Sequence, residues 1–295
     1  MKIRNLFLVL LVSSMIFACQ SKDSKQRAQI EENTEPLKED ASKIMPNLPS
    51  PNEYAAILQS TGAEFNPLIL NDVSNMSGYL AEPEKAMANL GIYFFDLGYS
   101  VAYGEKEYVD KYYNVCYDLS VELGVEKRFL EVIMGRYREN LDKNDSLKTY
   151  FREAYQNASE GVGANEEEKA YYRTIFLAGF YVEGLYNLLE KIEAYPRDIL
   201  PEDERFIILM PLVKAVLAQE DNIKTLADRL AIDYTDEDND EYYANAFRDL
   251  ISTYERLEVG DKIANNQGAE LLNDEVMIEL MAKVDMIRSQ VVKTL

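Results

Sequence analysis

The sequence predicts an all-α protein, folded as a single multi-helix bundle or a curved helix-hairpin array of about 8–10 helices. Three observations predict it. From about Glu53 onward, apolar residues recur at three- and four-residue spacing. No segment sustains the period-two alternation of a half-buried strand, and glycine and proline fall between the periodic segments more than within them. No fixed-length repeat of the helical-solenoid kind is visible, which favours one all-helical domain over residues 53–295.

The helical segments read in order as 53–61, 83–103, 105–123, 126–141, 145–160, 166–194, 202–218, 221–232, 239–258 and 274–294. Several carry start signals. Asp145 precedes "SLKTYF", Pro201 stands where a first-turn proline is tolerated, and Asp238 has Glu241 three residues on. Pro211 inside "FIILMPLVKAVL" is expected to kink or divide its helix. In the last helix Met277, Leu280, Val284, Ile287 and Val291 form an apolar seam for neighbouring helices.

Two segments precede this body. In "MKIRNLFLVLLVSSMIFACQSKDSK", Lys2 and Arg4 give a positive start, and Leu6 to Phe17 form an apolar core. That core is shorter than the roughly 20 residues that cross a bilayer and has the layout of a secretory leader. It ends in Ile16-Phe17-Ala18-Cys19. The segment resembles the signal peptide of bacterial lipoproteins, in which an aliphatic residue, a small residue and then cysteine mark the processing site. Phe17 is bulkier than that pattern's usual choice. The resemblance implies removal of residues 1–18 and acylation of Cys19, and two or more acyl chains give stable anchoring. Gln20, rather than Asp, follows Cys19; by the resemblance this points to the outer membrane of the cell envelope. Residues 20–52 are polar, charged and then proline-rich, which reads as a disordered tether.

Composition excludes several classes. The formal charge is −21, and loss of the leader removes two more positive charges. Phosphate-rich partners are repelled by such a chain, so nucleic acid is not an expected partner. There is no histidine, which removes serine–histidine and cysteine–histidine catalysis and every histidine-bearing metal site. With Cys19 acylated, Cys116 has no partner for a disulfide and reads as a buried packing thiol. The chain also lacks tryptophan, which argues mildly against a glycan cleft, although 21 tyrosines are available. No phosphate loop, dinucleotide fingerprint or nucleophile elbow occurs.

The most informative feature is an echo between two helices. "GIYFFDLGYS" sets Asp96 between Tyr93 and Tyr99, and "GFYVEGLY" sets Glu183 between Phe180 and Tyr186. Residues three apart share a helix face, so each carboxylate is flanked by two rings. Small residues nearby, Gly91 and Gly179 among them, allow close helix approach. Three readings are open. Asp96 and Glu183 face one interior space lined by Tyr93, Tyr99, Tyr103 and Tyr186, binding a cationic or polyhydroxylated ligand or acting as an acid–base pair. Alternatively, each lies on a solvated helix edge, continuing the polar stripes Asn89–Asp96–Ser100 and Glu183–Asn187–Glu190. In the third, Glu183 is buried and paired with an arginine, with Arg128, Arg136, Arg152 and Arg173 available.

Asp236, Asp238 and Asp240 alternate as at the start of a calcium loop, but Glu241 and Phe247 occupy the places of the required glycine and glutamate. No metal site, cofactor or catalytic residue is therefore assigned. The leader, the tether, and "DLGYS", "NDSL" and "EGLY" on a helical body are similar to a group of uncharacterised helical lipoproteins of Bacteroidota-type bacteria. That resemblance implies no activity. The expectation is a non-enzymatic envelope lipoprotein, membrane-anchored through Cys19, that binds a protein partner or small ligand. The alternatives are a carboxylate-dependent, glycan-acting enzyme using Asp96 and Glu183, and a structural assembly factor.

Overall fold

A computed structural model of the chain describes residues 51–125, 166–233, 242–257, 262 and 268–294. Of these, 82% are helical and none is in a strand, so the fold is all-α. Eight α-helices are described: α1 Pro51–Ser60, α2 Pro83–Tyr103, α3 Lys106–Glu122, α4 Glu166–Ala194, α5 Glu202–Leu217, α6 Glu220–Asp233, α7 Tyr242–Arg256 and α8 Glu275–Val292. The expected helices 126–141 and 145–160 lie outside the described residues. So do Cys19 with its leader and tether, and the acidic triplet at Asp236, Asp238 and Asp240.

Local chemistry sets the boundaries. Pro83 opens α2, where its missing N–H costs no bond. Gly104 closes it at φ 74°, a left-handed conformation that favours glycine, and its N–H returns to the carbonyls of Ser100 and Val101. Asp274 caps α8 by accepting from the Val276 N–H at 2.8 Å. Pro211 does not divide its helix, since α5 runs unbroken from Glu202 to Leu217. The carbonyl left without a helical partner belongs to Ile207, which is 65% exposed, so that turn faces water rather than the core.

The pairing of α2 with α4 is the largest helix–helix contact described. It is built on two glycines. A Cβ at Gly91 would stand 2.1 Å from the Phe176 carbonyl oxygen, and one at Gly179 would stand 1.9 Å from that of Ala88. No other residue fits either place without moving the helices apart. Rings close the contact on either side, with Phe94 against Phe176 and Phe95 edge-on to Phe180 at 5.3 Å. Helix α3 packs on α2; α5, α6 and α8 pack on α4; α7 lies against α6 and α8. Helix α8 buries Met277, Leu280, Val284, Ile287 and Val291, the full predicted seam.

Helix C-termini leave carbonyls without helical partners, and side chains from other elements take many of them here. Gln59 donates to Ala102 O at the end of α2, and Arg205 to Ile192 O at the end of α4. The Tyr254 hydroxyl donates to Val216 O in α5. Asn89 Nδ2 and the Tyr79 hydroxyl donate to Val291 O and Val292 O at the end of α8. Cys116 is free and fully buried. No described helix is long and apolar enough to cross a membrane.

Candidate functional site

Between α1 and α2 the chain runs without a helix predicted from sequence. It contains two 3-10 turns, Pro67–Ile69 and Val73–Gly78, capped by the Asn66 and Asp72 side chains. Ile69, Leu70 and Asn71 of this stretch are buried. Irregular backbone in a protein interior needs partners for its N–H and C=O groups. The conspicuous side chains of the sequence supply them.

Asp96 Oδ2 accepts from the Asn71 N–H at 3.0 Å, and the Tyr112 hydroxyl donates to Asn71 O at 2.9 Å. Tyr93 donates to Asp72 O, Tyr103 to Ala63 O, and the Tyr99 oxygen accepts from the Asn66 N–H. Asn71 Nδ2 donates to Asn89 Oδ1, linking the segment to α2 and, through Asn89, to the end of α8. Three of the four tyrosines picked out from the sequence are thus engaged with the backbone of residues 63–72.

Asp96 and Glu183 come together: both have no exposed surface, and the Glu183 carboxylate is the neighbouring charge that bears most strongly on Asp96. The glycine contact places them there: Asp96 follows Gly91 by five residues and Glu183 follows Gly179 by four. Glu183 holds Arg288 of α8 in a two-pronged pair, with Nε to Oε2 at 2.7 Å and Nη2 to Oε1 at 3.0 Å. The same Nη2 donates to Ile69 O at 2.8 Å, and the guanidinium lies 4.0 Å from the centre of the Tyr186 ring. Asn187 Nδ2 adds a 3.3 Å donation to Glu183 Oε1.

Two of the sequence readings are corrected. The polar stripes are not solvated edges over most of their length: Asn89, Asp96, Ser100, Glu183 and Asn187 are all fully buried, because the stripes pack inward with the 63–72 segment, and Glu190 at the end of the second stripe is half-buried. The arginine that pairs with Glu183 is Arg288. Arg128, Arg136 and Arg152 lie outside the described residues. Arg173 stands ten residues before Glu183 on the same helix, about 15 Å along its axis.

Electrostatics follow from burial. Desolvation, then the adjacent Glu183 carboxylate, push the Asp96 carboxyl well above the usual range, against the opposing pull of Arg288 and the Asn71 N–H. Burial works against the Arg288 charge, but Glu183 and Asp96 outweigh it and hold the guanidinium firmly protonated. Burial likewise raises Tyr93, Tyr112 and the Cys116 thiol, which stay neutral. Among the described residues, no group of three or more cysteine, aspartate and glutamate side chains is arranged to hold a metal ion. The arrangement can fix the part-buried 63–72 segment, dock α8 and retain a proton.

Sequence reasoning missed Arg288, Asn71, Tyr79 and Tyr112. Arg288 carried a signal, since it stands four residues after Val284 and beside Ile287, against the buried seam of α8. Asn71 carried one too, as an amide directly after the apolar run "LIL". Comparison with protein-family models, curated proteins and solved structures gives no match for this chain.

Proposed function

We propose that this chain is a lipid-anchored helical protein of the cell envelope, held at the outer membrane through Cys19, that works by non-enzymatic binding of a protein partner. One observation carries the preference for binding over catalysis. Both carboxylates to which catalysis was a candidate role are fully buried and committed to Arg288 and to the Asn71 backbone. A catalytic carboxyl must reach a substrate atom to within hydrogen-bond distance, and these face protein on every side. The surface left for recognition is strongly acidic, with single apolar side chains exposed at Ile199, Ile207, Ile278 and Met286. Such a surface suits a partner with a basic, partly apolar face. The anchoring half of the proposal rests on the layout of residues 1–19.

Cross-linking in the native envelope, followed by identification of the joined proteins, tests the binding half. The expected result is a discrete protein partner. Absence of one, together with thermal stabilisation by sugars or polyamines, would overturn it in favour of a small ligand. For the anchor, Cys19→Ser should abolish acyl labelling and membrane fractionation, and unchanged labelling would refute the assignment.

A further inference from the structure

The Asp96–Glu183–Arg288 cluster has an unbalanced hydrogen-bond and charge count. Asp96 Oδ2 accepts from Asn71, but Asp96 Oδ1 is fully buried and receives no donor. Its carboxyl neighbour Glu183 already accepts from Arg288 Nε, Arg288 Nη2 and Asn187 Nδ2. Two ionised carboxylates with one guanidinium would leave a net negative charge in the interior and the buried Asp96 Oδ1 without a donor. Both faults disappear with one proton.

We propose that Asp96 is a neutral carboxylic acid that donates from Oδ1 to the Glu183 carboxylate, and that this buried proton couples docking of α8 and the 63–72 segment to pH. With it the cluster is neutral, and every carboxyl oxygen has a role: Asp96 Oδ2 accepts from Asn71, Oδ1–H donates, and both Glu183 oxygens accept.

The surroundings leave the proton no other home. From α2, Tyr93 and Tyr99 neighbour the pair; from α3, Tyr112 and Cys116; from the 3-10 segment, Tyr79 stands beside Arg288, and the exposed Asp72 neighbours Tyr112. Helix α4 adds Tyr186 and Glu190, and α8 adds Arg288 and Asp285. Burial raises the tyrosines and the thiol, so they stay uncharged through neutral pH. Asp72 is held low by the Ser74 N–H and hydroxyl. Glu190, raised by burial, neighbours Arg288 rather than Asp96.

The sign of the coupling follows from linkage. An acid whose folded-state pKa lies above its unfolded value of 3.8 holds a proton in the native state that the unfolded chain has released. Its contribution to stability is fully present below pH 3.8 and is lost as pH rises toward the folded value. The cluster tightens as pH falls through the neutral range.

Asp96→Asn is the direct test, because an amide can accept from the Asn71 N–H and donate to Glu183 without titrating. Urea unfolding of the detergent-solubilised full chain is compared for wild type and variant from pH 5 to 8. Comparing the two subtracts the repulsion among surface carboxylates, which both proteins share. The ratio of folding constants, variant over wild type, should grow about tenfold per pH unit over part of this range, the slope of one proton. A ratio independent of pH would overturn the proposal. A second measurement needs no variant: the infrared carbonyl band of a protonated carboxylic acid should be present in wild type at pH 7 and shift on ¹³C labelling of aspartate. Absence of such a band would overturn the proposal as well.

Discussion

Substituting one methyl group at the crossing of α2 and α4 gives a sharp prediction. In Gly179→Ala the new Cβ would lie 1.9 Å from Ala88 O, 2.7 Å from its carbonyl carbon and 3.0 Å from its Cα. These are backbone atoms of a buried helix, so no side-chain rotation relieves the contact. Reaching the 3.0 Å floor of real Cβ contacts requires the helices to part by about 1 Å, which forfeits a quarter to a half of each dispersion contact along the seam. The Phe94–Phe176 and Phe95–Phe180 pairs border that seam. Overpacking of this kind costs about 1–3 kcal/mol. Separation also draws Asp96 from Glu183, while alanine's better helix propensity returns about 1 kcal/mol. The net expectation is a loss of about 1–2 kcal/mol, or roughly 2–8 °C in melting temperature for a domain of this size. Thermal melting followed by far-ultraviolet circular dichroism reads it. A Gly179→Ala protein as stable as wild type, or more so, would show that the helices do not meet at this glycine.

Further expectations follow from other contacts. Asn89→Ala removes the donor to Val291 O and leaves Asn71 Nδ2 unpaired in the interior; an unfolding loss of about 2–4 kcal/mol is expected, and one below about 0.5 kcal/mol would refute the bridging role. Cys116, fully buried with its thiol pKa raised by burial, should resist thiol reagents in the folded protein and react once urea unfolds it. Fast labelling of the native state would contradict its placement.

How much of this was legible in the sequence differs from feature to feature. The helix at 83–103 was readable to the residue because Pro83 and Gly104 punctuate it, and the seam of α8 because Met277 to Val291 repeats at three- and four-residue spacing. The close approach of α2 and α4 was foreshadowed by Gly91 and Gly179. The burial of Asp96 and Glu183 was not decidable, because a carboxylate beside Asn and Ser looks the same on a wet edge as on an inner face. What distinguishes the two is the partner, and the partners lie far away in the chain. Arg288 is 105 residues from Glu183 and 219 from Ile69. The 63–72 segment was hidden for a related reason, since its short 3-10 turns leave no period to read. Its backbone, buried at residues 69–71 and part-buried around them, is bonded by side chains from elsewhere, among them Tyr93, Tyr99, Tyr103 and Tyr112, rather than by a ladder of its own. Tyr93, Tyr99 and Tyr103, three of the four tyrosines expected to line a ligand space, bond the backbone of this segment.

The central structural claim is that the buried Glu183–Arg288 pair locks α8 to α4 and to Ile69, and a double-mutant cycle over Glu183→Gln and Arg288→Met tests it most directly. Removing one partner of a buried pair costs about 3–5 kcal/mol because the other charge is left uncompensated, so each single variant should lose stability of that order in urea unfolding. The double variant buries neither charge and should lose much less than the sum, giving a coupling of at least about 2 kcal/mol. Single losses that add, with a coupling within about 0.5 kcal/mol of zero, would mean that the two side chains do not act on one another and that the account of this core is wrong.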